Sequence, residues 1–288
     1  MCLGFSEILS QEESLNPETK ENAEIIYKSG KRLLEVLSDL LEISKIEAGK
    51  VQLKYFSFDI EEIFHDVYLL FQEKFKRKEI KFNTEIIGDK EIYSDPARLR
   101  QILLNLVGNS LKFTDEGEIN VSYENKKDEY LIMVKDTGIG IDSKHQKIIF
   151  DMFQQVEGVD RRKYGGTGLG LNICKKLSEA LKGKIWVKSE LGQGSSFFIS
   201  IPKQKKRNEK KFVETYFLGE NTKDYKGQIK ILFAEDNVDN LRLIEQYMAK
   251  NKDLIYQSVT DGNELLKEYS SNSNYDLIFL DIQMPGMN

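Results

Sequence analysis

The chain has 288 residues and a mass of 33.3 kDa, which at about 100–200 residues per domain means two domains with room for a helical appendage. Its 42 Lys and Arg against 47 Asp and Glu leave a net charge of −5, no electrostatic footprint for a general nucleic-acid binder, and 40% hydrophobic with 31% charged residues is the composition of a folded chain rather than a disordered one. Two cysteines and two histidines are too few for a disulfide framework or a Cys/His zinc site, and apolar runs such as Leu277 to Leu280 fall far short of the roughly 18–20 residues that cross a bilayer, so the segment reads as cytoplasmic, reduced and without membrane contact.

Residues 20–48 place Ile26, Leu33, Leu37, Leu40 and Leu41 among Lys, Glu and Ser at the spacing of a long amphipathic helix. A shorter helix precedes it, from about Cys2 to Ser10, and Asn16-Pro17-Glu18 supplies a cap and a first-turn proline between them. A leucine stripe of this kind must bury against something, and two such hairpins forming a four-helix bundle make a homodimer the expected assembly. From Val51 the period changes to two. Val51, Leu53 and Tyr55 read as a strand, followed by a helix from about Asp59 to Lys78. Further strands are expected at 80–86, 91–93, 118–125, 129–135, 184–189 and 195–201, with helices near 95–113 and 168–182. Residues 203–211 then carry six basic groups against one Glu, the composition of a solvated linker. Beyond it a buried strand at 229–234, a helix to about 250, a strand at 254–259, a helix at 261–270 and a strand at 276–280 alternate as in a parallel sheet.

Two glycine-rich runs stand in the middle segment: Asp136-Thr137-Gly138-Ile139-Gly140 after a strand, and Gly165-Gly166-Thr167-Gly168-Leu169-Gly170-Leu171 running into a helix. Glycines let backbone amides approach an anion, and the start of a helix offers its positive end to phosphate. Neither is a P-loop, since no Gly-Lys-Ser/Thr follows, and neither has the βαβ context of a dinucleotide fingerprint. On helix 95–113, residues 99, 102, 103, 106 and 107 make a buried face while Asn105, Asn109 and Lys112 share another stripe. An amide oxygen is a hard ligand suited to Mg²⁺, and a lysine one turn on can meet phosphates.

Together with Ile149-Phe150-Asp151-Met152-Phe153 and Gly192-Gln193-Gly194-Ser195-Ser196-Phe197, these elements resemble the ATP-binding domain of histidine kinases, a Bergerat-type α/β sandwich shared with gyrase, mismatch-repair and heat-shock-chaperone ATPases. The resemblance implies ATP and Mg²⁺ as cofactors. Asp136 would accept from the adenine amino group, Asn109 would ligate Mg²⁺, Asn105 and Lys112 would hold the triphosphate and act in transfer, and Phe113 would pack at the base. Gly138 and Gly140 would line the base pocket. Gly166, Thr167, Gly168, Leu169 and Gly170 would close over the nucleotide beneath a lid from about 141 to 165 carrying Arg162 and Lys163. In the hydrolytic relatives a glutamate stands where this chain has Asn105, and an amide cannot take a proton from water at neutral pH, so transfer to a protein acceptor is favoured over hydrolysis.

Gly4-Phe5-Ser6-Glu7-Ile8-Leu9 and Asp39 to Gly49 resemble the dimerisation and phosphotransfer hairpin of the same kinases, whose acceptor histidine lies upstream of the segment matched here. Neither His65 nor His145 matches it, so autophosphorylation by this chain alone is not expected. Ile231 to Asn237 and Asp276 to Met287 resemble a response-regulator receiver, in which Asp281 would be the phosphoacceptor and Glu235, Asp236 and Asp281 would gather Mg²⁺. The later receiver strands do not appear before Asn288. The expected architecture is therefore α+β: a partial helical hairpin over 1–50, the ATP-binding domain over 51–202, a linker over 203–227, and the first half of a flavodoxin-like, doubly wound receiver over 228–288. The expected function is the catalytic portion of a hybrid sensor histidine kinase, with a response regulator or phosphotransfer protein as partner. A nucleotide-binding scaffold without kinase activity remains the alternative.

Overall fold

The computed structural model describes residues 2–12, 14–154, 167–204, 228–249, 251–281 and 284. In chain order the elements are α1 (Cys2–Gln11), α2 (Pro17–Glu47), β1 (Phe56–Asp59), α3 (Ile60–Lys78), β2 (Lys81–Ile87), β3 (Glu91–Ser94), α4 (Pro96–Phe113), β4 (Glu118–Asn125) and β5 (Glu129–Asp136). There follow α5 (Gly170–Ala180), β6 (Lys184–Glu190), β7 (Gly194–Pro202), β8 (Ile229–Ala234), α6 (Val238–Ala249), β9 (Leu254–Val259), α7 (Gly262–Ser271) and β10 (Leu277–Leu280). They fall into two compact units, Leu34–Glu214 and Met1–Leu33 with Thr215–Asn288.

The larger unit is built on a five-stranded sheet in the order β2-β4-β5-β7-β6, parallel between β2 and β4 and antiparallel elsewhere. Alternation decides its buried face: Ile119, Val121 and Tyr123 of β4 and Tyr130, Ile132 and Val134 of β5 point inward, while their sequence neighbours do not. Ile63, Phe64 and Val67 of α3, Leu99, Ile102, Leu103, Leu106 and Val107 of α4, and Ile173 and Leu177 of α5 complete one core with them, which gives the helix-on-sheet sandwich that the sequence resemblance implies.

Local chemistry fixes α4, the helix that matters most for the site. Asp95 caps it, accepting from the Arg98 amide at 3.1 Å, and Pro96 opens the first turn, where its missing N–H costs nothing. At the other end the Lys78 ammonium donates to the carbonyls of Leu111 and Thr114, each at 2.8 Å, placing a cation on the negative end of the helix dipole. The strand expected at Val51, Leu53 and Tyr55 is displaced. Residues 51–55 are irregular, and β1 pairs instead with β3 as a separate two-stranded ladder. The Lys54 amide donates to the second oxygen of the Asp95 cap at 2.8 Å, so this backbone is satisfied by a side chain rather than by a sheet partner.

The C-terminal end of α2 belongs to the same unit. Ile43 is 3% exposed and joins the core. Glu42 accepts from Arg98 at 2.8 Å and also from the Gln101 amide, and Glu47 pairs with Lys176 at 3.1 Å.

In the smaller unit, α1 and the first part of α2 form the expected hairpin. Asn16 caps α2 by accepting from the Thr19 amide at 2.8 Å, and Gly30 lets the helices close up, since a Cβ there would stand 2.2 Å from Leu3 Cδ2. The sheet β10-β8-β9 is parallel throughout. Leu232, Ala234, Val259 and Leu265 form its small core. Within the described residues β10 pairs on one side only, and Leu277, Ile278, Phe279 and Leu280 are all exposed, an apolar sheet edge.

Candidate nucleotide and phosphoacceptor sites

Asp136 is the last residue of β5 and is 4% exposed. One carboxylate oxygen, Oδ1, accepts from the amides of Gly138 at 3.0 Å and Ser195 at 3.1 Å. The other, Oδ2, accepts from the Ser110 hydroxyl at 3.1 Å. Burial pushes this carboxyl above its usual range, and the three hydrogen bonds from Gly138, Ser110 and Ser195 pull it back toward ionisation. A carboxylate has about four lone-pair sites. The described residues fill three, so one place on Oδ2 remains for an outside donor.

The glycines beside Asp136 are required by close backbone approach. A Cβ on Gly138 would lie 2.5 Å from the Phe113 carbonyl oxygen, and Gly140, at φ +70°, would carry a Cβ 2.0 Å from the Glu190 carbonyl oxygen. The Ile139 amide donates to Phe113 O at 3.2 Å, and the Gly192 amide to Ile139 O at 2.7 Å. The first glycine run is thus stitched to the end of α4 on one side and to the β6–β7 turn on the other.

Along α4, Asn105, Asn109, Lys112 and Phe113 are all half-buried. The Lys112 ammonium sits 4.7 Å from the centre of the Phe113 ring. The Asn105 amide lies 3.5 Å from the Gly170 carbonyl, which puts the start of α5 beside the asparagine stripe. Leu169 is fully buried and joins the core, so only its backbone is available to a ligand. Its amide donates to the Thr167 hydroxyl at 3.2 Å, and Gly168 accepts from the Phe153 amide at 3.0 Å. Phe150 packs edge-on against Phe197 at 6.4 Å. Arg162, Lys163 and Gly166 lie outside the described residues. His65 is exposed, whereas His145 is half-buried with Nδ1 out of water and unpartnered among the described residues.

Three residues of this site were not singled out from the sequence. Ser110 immediately follows Asn109 but faces inward, and a lone hydroxyl on an otherwise apolar helix face was the available signal. Ser195 stands within the Gly192–Phe197 run, but it contributes its backbone amide, a role that no side-chain pattern marks. Asp39 of α2 accepts from the Thr167 hydroxyl at 3.3 Å, a contact across more than a hundred residues that no local pattern encodes.

In the smaller unit, Glu235, Asp236 and Asp281 each offer an oxygen, and these oxygens lie within 4.8 Å of one another. The parallel pairing of β8 with β10 brings them together, with the Asp281 amide donating to Ala234 O at 3.2 Å. All-oxygen, acidic donors suit a hard divalent cation such as Mg²⁺. Asn240 and the Asn237 amide both donate to Glu235, at 3.0 and 3.2 Å, which orients one of the three acids.

The mixed sheet packed against α3, α4 and α5 is that of an ATPase-type domain. Residues 94–205 match the family model described as histidine kinase-, DNA gyrase B- and HSP90-like ATPase. Residues 2–49 match the His Kinase A (phospho-acceptor) domain and 231–288 the response regulator receiver domain. Over 99% of its length the chain is 35% identical to the autoinducer 2 sensor kinase/phosphatase LuxQ of Vibrio vulnificus, covering 34% of that protein. Over 98% it is 33% identical to hybrid signal transduction histidine kinase K of Dictyostelium discoideum, covering 24% of it. Full-length ShkA in complex with AMPPNP has the same fold, with a TM-score of 0.62 at 21% identity over 100% of this chain and 84% of that one. The chain belongs to the hybrid sensor histidine kinases. It spans about a third or less of the length of these curated relatives, and no helix among the described residues is long and apolar enough to cross a membrane.

Proposed function

We propose that this chain is the cytoplasmic catalytic portion of a phosphorelay kinase that binds Mg·ATP in the larger unit and, in the intact protein, passes its γ-phosphoryl group to a histidine and then to Asp281. The observation that carries this reading is the Asp136 carboxylate, buried but held by two amides and a hydroxyl with one acceptor place left over. That place fits the exocyclic amino group of adenine, and beside it Gly138 and Gly140 sit too close to the Phe113 and Glu190 carbonyls to carry a side chain.

Asn109 would hold the Mg²⁺ that accompanies the triphosphate, with Asn105, Lys112 and the backbone of Thr167 to Gly170 around the phosphates and Arg162 and Lys163 as further phosphate partners. The ion, when bound, neutralises phosphate charge and polarises the transferring group. The chain's own residues supply position and charge rather than covalent chemistry. In the transfer the γ-phosphorus to bridging-oxygen bond breaks, ADP leaves, and a bond forms to an imidazole nitrogen. The phosphoryl group then moves to a carboxylate oxygen of Asp281, regenerating the imidazole. His65 and His145, the two histidines of the sequence, are not proposed as acceptors.

Domain limits of 1–50, 51–202, 203–227 and 228–288 suit this reading. The exposed Leu33, Leu34, Leu37, Leu40 and Leu41 of α2 favour a homodimer through the hairpin, whose bundle would receive a response regulator or phosphotransfer protein. Calorimetry with Mg²⁺ and a non-hydrolysable ATP analogue tests the core of the proposal. Binding to the wild type that is lost in Asp136→Asn and Asn109→Ala is expected, and equal binding by all three would overturn it.

A further inference from the structure

The geometry points to Ser110 as a positioning residue that gives the site its preference for adenine over guanine, by holding the Asp136 carboxylate as an acceptor aimed at the base. The inference rests on the reading of Asp136 as the base-recognising residue and adds a residue to it.

Ser110 is 2% exposed, on the face of α4 that also carries Leu106, Val107 and Leu111. A buried serine in a helix usually satisfies its hydroxyl on the carbonyl one turn back, as Ser178 does on Cys174 at 2.7 Å. Ser110 instead crosses to the end of β5 and donates to Asp136 Oδ2. The two oxygens of Asp136 therefore have different duties. Oδ1 is occupied by the Gly138 and Ser195 amides and is anchored to backbone, while Oδ2 has one place for Ser110 and one for a ligand.

Adenine presents a 6-amino donor where guanine presents a 6-oxo acceptor. An ionised carboxylate accepts from the first and repels the second, whereas a protonated carboxyl can donate to the second. Discrimination thus requires Asp136 to be ionised and its outer oxygen fixed. Burial works against ionisation, and the Ser110 hydroxyl is one of three groups working for it. The groups facing the carboxyl from α4, from β7 and from the loop after β5 are this hydroxyl and two backbone amides. None titrates, and no ionised side chain figures among the causes of the shift.

The test uses the full chain with Mg²⁺ and non-hydrolysable analogues of ATP and GTP, titrated between pH 5 and 8. In Ser110→Ala, affinity for the adenine analogue should fall roughly tenfold, the loss of one hydrogen bond to a charged group. Affinity for the guanine analogue should hold or rise, and the pH at which adenine binding fades on acidification should move upward. Ser110→Cys, close in size and a weak donor, should fall between the two. A merely structural serine would weaken both analogues together and leave the pH profile in place. An unchanged adenine-to-guanine ratio in Ser110→Ala overturns the inference, as does a Cys variant, folded by its melting curve, that discriminates no better than Ala. Failure of the wild type to bind either analogue would instead sink the reading of Asp136 itself.

Discussion

The Asp39 carboxylate, on α2, accepts a 3.3 Å hydrogen bond from the hydroxyl of Thr167, two residues before the cap of α5. A negative charge is thereby set against the loop proposed to receive a triphosphate. Burial raises the Asp39 carboxyl above its usual range, the Thr167 hydrogen bond opposes this, and Glu42 and Glu35 raise it further. The docked helix and a bound polyphosphate therefore compete for the same loop. Asp39→Asn keeps an acceptor for Thr167 and removes the charge, so it should tighten binding of an ATP analogue about fivefold, or ~1 kcal/mol for a screened charge pair. Weaker binding in this variant, read by fluorescent-nucleotide titration, would show that Asp39 supports the loop rather than opposing its ligand.

Asp136 predicts a separation of function from stability. Its folded carboxyl sits above the usual value of 3.8, chiefly through burial. In the interval between that value and the folded one, the native state holds more proton than the unfolded chain, so this group's contribution falls as pH rises. Asp136→Asn removes the penalty while keeping acceptors for Gly138 and Ser195. The variant should lose the ATP analogue about 100-fold, as expected when a charged acceptor in a buried site is replaced, yet melt no lower than wild type at pH 7. Any advantage in melting temperature should shrink as pH is lowered toward 4. A variant that melts lower at neutral pH would count against this account of the burial.

Cys174 lies in the core with its thiol pushed up to about 12 by burial, and Cys2 is exposed. The thiolate is the reactive form. Native protein should therefore release one equivalent of chromophore from a disulfide reagent and two in urea. Rapid reaction of both thiols in the native chain would mean that α5 opens readily from the sheet.

Lys78 predicts a purely structural cost. Its ammonium closes two carbonyls at the end of α4, so Lys78→Met should lower stability by about 1–2 kcal/mol in urea melts. Nucleotide affinity should fall less than stability, because Lys78 holds backbone carbonyls of α4 rather than the Asn105 or Asn109 side chains. A loss of affinity larger than the loss of stability would place Lys78 in the site itself.

Periodicity made most of this architecture legible. The strands at 118–125, 229–234 and 254–259 have the limits their alternation or apolar runs suggest, and α4 fills the helix expected near 95–113. Asp136, Asn105, Asn109 and Lys112 stood out because glycines and a polar stripe interrupt those periods. What stayed hidden is non-local. Val51, Leu53 and Tyr55 alternate like a strand, but the Asp95 side chain takes the Lys54 amide and no neighbour completes a ladder. The clasp of α2 through Asp39, Glu42 and Glu47 uses residues that look like an ordinary solvated helix face, since their partners are Thr167, Arg98, Gln101 and Lys176, far along the chain.

The acidic cluster of the smaller unit supports a prediction independent of nucleotide. Glu235, Asp236 and Asp281 bring three carboxylates within 4.8 Å, and like charges so close oppose the pairing of β8 with β10 that assembles them. A divalent cation would reverse that sign by sharing their oxygens. With nucleotide absent, the asparagine stripe of the larger unit offers no carboxylate to compete for the ion. Mg²⁺ should therefore slow backbone hydrogen exchange in β8 and β10 relative to the same protein in chelator, while leaving β4 and β5 unchanged. At ten times the dissociation constant the added protection amounts to about 1.4 kcal/mol. Asp236→Asn and Asp281→Asn should each abolish the Mg²⁺ effect, and in its absence should exchange no faster than wild type because a repulsion has been removed. Equal protection of β8 by Mg²⁺ in wild type and both variants would show that the ion acts elsewhere.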